Sequence, residues 1–567
     1  MISMAHSRTI HVLCSVLFFS FPSLQLPAQE IGSGISTSQR AYEVHGTVIN
    51  SVTHEPIARA LVTIAGEASS SQLTDNEGRF EFPNIPPGRS VLQAKRPGFF
   101  GTASGRDLYQ PIAVGPSATD HILALEPAGS ITGQITMPAS DTGSNIRVQL
   151  MHRTIQEGRA HWQPMGMKLT NSEGAFRFGN LQAGEYKLYT ATSIDPDMAS
   201  SQAPVRWGFP AASYPQEGDS NTTGYLRIDP GQQLNVQMAL TREPFYSVTI
   251  PVANRLLQGY SVQISDGRGH PNDVSTSYDS QQQQFRAYLP SGNYTATIQS
   301  YMPPGFASES ITVRNAPVQA QSLPLLPIHP IPVTIRKEFT ATNNSGPQIV
   351  QIENGKQVEI SRDISLMLFS ATDGESVGLN LRHEPGGDDS SWVLENVLPG
   401  KYWVQTYANQ GYVASISAGG TDLARDPLTI GPGGASAPIE IVLRNDMATL
   451  SVRVKNVPSS PLDAGASSDI FQTNPPIQTP LGYLYLIPQF DTSSVVQQAM
   501  PLQQTGSVPN LQPGTYRILA LDRPLDLEYR DAKALETYAG KGQSITLEPN
   551  GAANVDLDVV PADAATR

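Results

Sequence analysis

His270 and Asp273 stand three residues apart, a spacing at which two side chains can share a metal ion. They sit within Gly-His-Pro-Asn-Asp, where the needs of a turn explain both residues, and a solvated loop is the plainer reading. The chain has no His-x-x-Glu and no His-Glu-x-x-His from which a zinc peptidase could be built, and no Gly-x-x-x-x-Gly-Lys-Ser/Thr phosphate loop. Asp75 and Glu77 place carboxylates in a Thr-Asp-Asn-Glu-Gly turn, but the ligand spacing of a calcium loop is missing. Lys455 and Asn554 lie near the ends of a first and a last strand, where a lysine and an asparagine can condense to an isopeptide; two exposed strand-end residues explain them as well. Carboxylate pairs for glycoside hydrolysis form only in three dimensions, and small repeated modules seldom offer the cleft they use. The expectation is a chain that is not an enzyme, with no cofactor and no metal. What remains is recognition by aromatic side chains, for which Trp403, Gln405, Tyr407, Trp207 and Tyr214 are the candidates.

Those candidates are positioned by a repeat. Thr74-Asp75-Asn76-Glu77-Gly78-Arg79-Phe80-Glu81-Phe82 runs through Ile85 to Gly88, and Asn171-Ser172-Glu173-Gly174-Ala175-Phe176-Arg177-Phe178 runs through Leu181 to Gly184. Weaker copies end at Gly292, Gly400 and Gly514, so the five glycines are 96, 108, 108 and 114 residues apart. That period is the size of a domain, not of a solenoid repeat. Tyr186, Tyr294, Tyr402 and Tyr516 each stand two places after the glycine. The third place holds Val91, Lys187, Thr295, Trp403 and Arg517, a mixture that only a solvent-facing position tolerates. Strand parity therefore predicts Tyr402 and Val404 inside, with Trp403, Gln405 and Tyr407 outside. Trp403 and Tyr407 would share one face about 13 Å apart, which either stacks on a ligand or is covered, at Trp403, by a neighbouring module.

Each unit also opens and closes on alternating strands. Val44/Gly46/Val48, Ile131/Gly133/Ile135, Val248/Ile250/Val252, Val333/Ile335 and Leu450/Val452/Val454 open them; Leu123/Leu125, Val236/Met238, Leu323/Leu325, Ile439/Ile441 and Val555/Leu557 close them. Period-two alternation puts one face on a core and one in water, as in a two-sheet antiparallel sandwich. The fold class is all-β, five tandem antiparallel β-sandwich modules of the Ig-like or prealbumin-like kind. The expected boundaries are 41–127, 128–242 with a long loop at 195–225, 243–328, 329–445 and 446–561, with a tail at 562–567. Asp531 to Ala539 is the best helix candidate, with Asp531 as N-cap.

The N-terminus sets the compartment. Arg8 precedes an apolar run from Val12 to Phe21 and a small-residue end at Leu26-Pro27-Ala28, the build of a cleavable signal peptide over 1–28, followed by a linker at 29–40. Cys14, the sole cysteine, leaves with it, so thiol chemistry is closed to the mature chain. Exported domains without disulfides must rely on their cores, which fits modules of ordinary size. A formal charge of -13 disfavours nucleic acid and anionic lipid as partners. No later stretch has the apolar length of a transmembrane helix.

His45-Gly46-Thr47-Val48, Glu55-Pro56-Ile57-Ala58-Arg59-Ala60-Leu61-Val62-Thr63-Ile64 and the turn-and-hairpin from Thr74 to Gly88 together resemble the carboxypeptidase regulatory-like domain. The resemblance is specific over 41–126, good in the second unit and looser beyond. It implies a transthyretin-like (prealbumin-like) sandwich, grouped with carbohydrate-binding-like folds, in a multi-domain exported protein of the kind common in acidobacteria. In metallocarboxypeptidases this domain accompanies the catalytic domain and does no hydrolysis. The implied role is a non-catalytic, exported binding module of the cell envelope, with polysaccharide or an envelope protein as partner. A structural spacer, supported by the Pro-rich junctions at Pro127, Pro244 and Pro327 to Pro332, is the alternative.

Overall fold

Five β-sandwiches follow one another along the chain, each closed around its own apolar cluster. The structure, a computed structural model, describes residues 41–562 apart from a set of segments of which 456–479 is the longest. The expected signal peptide and linker, and His270 and Asp273, lie outside the described residues. In every module the opening strand pairs in parallel with the closing one: Tyr42–Asn50 with His121–Pro127, Gly129–Thr136 with Gln233–Ala239, Glu243–Pro251 with Val318–Gln319, Ile331–Glu338 with Ile439–Arg444, and Ala448–Val454 with Ala552–Leu557. On its other edge the opening strand takes, antiparallel, the strand that leads into the repeat glycine. Alternation does the sorting: Val44, Gly46 and Val48 are buried while His45 and Thr47 are not, and Ile131 and Ile135 are buried while the residues between them are not.

The repeat performs two mechanical tasks. Asp75 Oδ1 accepts the backbone N–H groups of Glu77 (3.0 Å) and Arg79 (2.7 Å), and Asn171 Oδ1 does the same for Glu173 (3.0 Å) and Ala175 (2.8 Å). That side-chain oxygen, a carboxylate in Asp75 and an amide in Asn171, holds a turn, as the residue types required. At the other end of the hairpin each repeat tyrosine folds back and donates its hydroxyl to the carbonyl four residues earlier. Tyr186 reaches Gln182 (2.8 Å), Tyr294 reaches Pro290 (3.1 Å), Tyr402 reaches Leu398 (3.0 Å) and Tyr516 reaches Gln512 (2.8 Å). Burial pushes the Tyr186 phenol up to about 12, so it remains a donor at any physiological pH. Tyr516→Phe keeps the ring and deletes only the bond; we expect a loss of about 1 kcal/mol in denaturant unfolding, and an unchanged midpoint would show the bond to be idle.

Four asparagines complete the corner. Asn84, Asn180, Asn396 and Asn510, each four residues before the repeat glycine, have φ of 61°, 58°, 61° and 61°. Asparagine tolerates the left-handed region better than other residues with a Cβ. In the first, second and fifth modules the residue sits where the register slips by a bulge.

Two further departures matter for the site. The long loop of the second module donates strand Val205–Phe209 to the third module, where it pairs antiparallel with Glu243–Pro251 and extends that sheet. Tyr288 donates to the Ala203 carbonyl (2.8 Å), and Arg206 lies 4.4 Å from the Tyr288 ring centroid, so the two modules share an edge rather than a tether. In the fifth module both faces of one sheet are covered. Tyr485, Ile487, Leu519 and Leu521 point away from the main core into a second cluster with Leu527 and Tyr529. The segment over this second cluster carries the one helix among the described residues, Ala532–Glu536, shorter than the expected 531–539. Asp531 caps it as expected, accepting from Lys533 N (2.8 Å) and Ala534 N (3.4 Å).

Candidate functional site

Strand Gly400–Ala408 carries three of the five candidates. Its inward parity is as expected: Tyr402 and Val404 belong to the core of the fourth module. Its outward face is not the open surface that alternation implied. Trp403 is half-buried beneath the guanidinium of Arg159, whose carbon lies 3.5 Å from the ring centroid. Gln405 is only 8% exposed, and its amide nitrogen has no hydrogen-bond partner. Phe369, opposite Trp403 on the neighbouring strand, faces the same way and is buried. Only Tyr407, 60% exposed, stands in solvent as expected.

The cover comes from two other modules. Strands Arg147–Gln156 and Arg159–Leu169 of the second module form a hairpin whose tip residues, Glu157 and Gly158, both have positive φ (50° and 73°). The Tyr529 ring of the fifth module lies against Gly158 so closely that a Cβ there would come within 2.6 Å of it. Glycine at 158 is thus required twice, by the turn and by the contact. Arg530 donates its backbone N–H to the Gly158 carbonyl (3.1 Å) and its Nε to the Glu157 carbonyl (3.1 Å). Arg153 pairs with Glu528 at 2.7 Å, a contact 375 residues apart in sequence, and both side chains are largely screened from solvent. From the fifth module also, Ser493 accepts the Thr406 N–H at 2.7 Å and sits 3.0 Å from its hydroxyl. Thr406, on the inward parity opposite Leu366, is thus also held by a neighbouring module, and Gln405, on the outward parity, lies at the junction with Glu157, Arg159 and Arg530.

The remaining candidates are scattered. Trp207, 51% exposed, lies on the exchanged strand opposite Pro244, and Tyr214 packs half-buried against the second core beside Leu188. With Trp403, Gln405 and Tyr407 they occupy three different sheets. Lys455 and Asn554 are not joined: Asn554 is opposite Ser451, four residues before Lys455, so the register keeps them apart.

One pattern is absent from the candidates above. Gly374-Glu375-Ser376-Val377-Gly378 has the Gly-x-Ser-x-Gly spacing of a serine-hydrolase elbow. Such an elbow joins a strand to a helix. Here Ser376 opens strand Ser376–Leu379, which pairs back on Ile364–Ser370, and Arg382–His383 continues as strand. Among the described residues no three His, Cys, Asp or Glu side chains are grouped to hold a metal ion, and no helix is long and apolar enough to cross a membrane.

Residues 43–116 match the carboxypeptidase regulatory-like domain family, which describes the first module. No curated protein matches the chain. Among solved structures it is similar to the Bacillus anthracis TIE protein, at 13% identity over 50% of each chain with a TM-score of 0.17, and so spans half the length of that relative. It is also similar to the minor pilin of Streptococcus agalactiae, at 12% identity over 36% of this chain and 97% of that one with a TM-score of 0.20. The shaft pilin SpaA of Lactobacillus rhamnosus GG is comparable, at 8% identity, 36% and 98% coverage and a TM-score of 0.20. Likeness at such scores carries no functional inference.

Proposed function

We propose that the chain is a non-catalytic structural protein of the cell envelope or exterior, a scaffold whose modules are locked to one another rather than strung out on linkers. The observation that carries this reading is the grip of the fourth and fifth modules on the second module's hairpin. Interlocking costs conformational freedom, and a chain built only for reach would have no use for it. The strand exchanged between the second and third modules supports the same reading. Export rests on the N-terminal signal pattern.

A distance measurement tests the closure directly. The described residues hold no cysteine, so Lys168→Cys and Lys533→Cys, both exposed, can carry spin labels on the second and fifth modules. A single narrow distance distribution is expected, and Arg153→Glu, which sets like charges against Glu528, should broaden it. A broad distribution in the otherwise unaltered chain would mean the modules are beads, and the scaffold reading would fall.

Exposed Tyr407 favours a second reading, a glycan or protein partner held on the fourth module. Met367, 41% exposed, neighbours it diagonally across the strand pair, giving a small apolar platform of the kind sugar rings stack on. A glycan array on the full chain, with Tyr407→Ala as control, separates this role from a purely structural one.

A further inference from the structure

At the junction that locks the modules lies a partly open cleft with about 20 Å³ of room for water-sized particles, lined by Arg159, Glu157 and His161 of the second module, Trp403, Gln405 and Phe369 of the fourth, and Arg530 of the fifth. Its electrostatics do not balance. Two guanidinium groups line it with the His161 imidazole and one carboxylate, Glu157, which also faces the Tyr529 hydroxyl at 3.5 Å. Arg530 spends its Nε on the Glu157 carbonyl, while Arg159 makes no ion pair among the described residues and has only the face of Trp403 beneath it. The Gln405 amide nitrogen, in a side chain more than nine-tenths buried, has no acceptor. Leaving a buried donor unpaired costs about 1–3 kcal/mol, and a guanidinium that is half-desolvated beside a like charge costs more.

We infer that this cavity binds a single monatomic anion, with chloride as the natural occupant, held by Arg159, Arg530 and the amide of Gln405 as a brace common to three modules. One negative charge neutralises the surplus of two cations over one carboxylate. A space of about 20 Å³ admits one water-sized particle, since a water needs at least about 10–15 Å³. Burial, with the Arg530 guanidinium adding to it, pulls the Arg159 pKa down to about 10; the group stays charged at neutral pH, so the cost persists until an anion meets it.

The inference rests on the closed junction, and its test is chosen to separate the two. Thermal unfolding of the full chain is followed from about 10 to about 300 mM chloride or bromide, with ionic strength held constant by methanesulfonate, a larger polyatomic anion. A rise of about 2 °C or more is expected for the transition that releases the hairpin. Gln405→Glu, which supplies the negative charge covalently, should raise that transition at low halide and abolish its halide dependence; Gln405→Leu should weaken the dependence while leaving the fold. Bromide-soaked crystals should show anomalous density between Arg159, Arg530 and Gln405. If the labelled chain keeps its narrow distance distribution but halide has no effect and the density is water, the anion site is wrong and the closure stands. A broad distribution overturns both.

Discussion

Gly46→Ala is expected to unfold the first module and leave the other four folded. Gly46 lies in the middle of Tyr42–Asn50, between the strands that pair with it on either side. A Cβ there would stand 2.1 Å from the His121 carbonyl oxygen and 2.7 Å from the Phe80 ring. Neither obstacle is a flexible side-chain end. The oxygen belongs to the backbone of the parallel closing strand, and the ring is in the core between Val44 and Val48. Overpacking a core costs about 1–3 kcal/mol when side chains can shift, and occasionally more, so about 3 kcal/mol or above is expected where a ladder must part. A domain of this size has only some 5–15 kcal/mol to lose. Hydrogen exchange on the full chain should lose protection over 41–127 alone. Equal loss in the later modules would mean that the proposed boundary is not a folding boundary; no loss would mean that the strands do not approach so closely.

That the result can be framed module by module follows from features visible in the chain itself. Phe80 and Phe82, or Phe176 and Phe178, alternate with polar residues and go inside together, because period-two burial is a local property of a strand with one wet face. The repeated tyrosine was legible as an inward residue. Its bond to the carbonyl four places back was not, since a hydroxyl's partner depends on how the corner turns. The asparagine before each corner could have been found: it recurs at one place in four of the five copies, and asparagine is a common non-glycine solution for a left-handed residue. The exchanged strand Val205–Phe209 could not, because nothing in its alternation says which module supplies the edge.

The candidate site shows the same limit more sharply. Parity correctly separated Tyr402 and Val404 from Trp403 and Gln405, but outward is not the same as solvent-exposed. Whether an outward face meets water or another module is a long-range fact. Some warning was present: Leu368-Phe369 and Tyr485-Leu486-Ile487 are apolar at both parities, the mark of strands covered on both sides. Arg159, which lies over Trp403, and Tyr529, which lies against Gly158, stand beside a hairpin tip and in a loop where no pattern announces a partner hundreds of residues away.

Tyr402→Ala and Trp403→Ala, neighbours in one strand, should therefore fail in different ways. Tyr402 fills the fourth core and bonds Leu398 through its hydroxyl, so truncation leaves both a cavity and an orphaned carbonyl. A loss of about 3–5 kcal/mol is expected for that module, the range for large aromatic truncations in other cores. Trp403 contributes little to that core. Its ring is the plate on which the Arg159 guanidinium rests, an interaction worth about 0.5–2 kcal/mol depending on how dry it is. Its removal should spare the fourth module's protection from hydrogen exchange over 331–443. It should lower protection in the second module's hairpin and widen the distance distribution between labels at 168 and 533. If Trp403→Ala destabilises the fourth module as much as Tyr402→Ala does, the division of this strand into core and seam is wrong. If the hairpin is unaffected, Arg159 is not what holds it, and the grip must reside in the Tyr529 and Glu528 contacts alone.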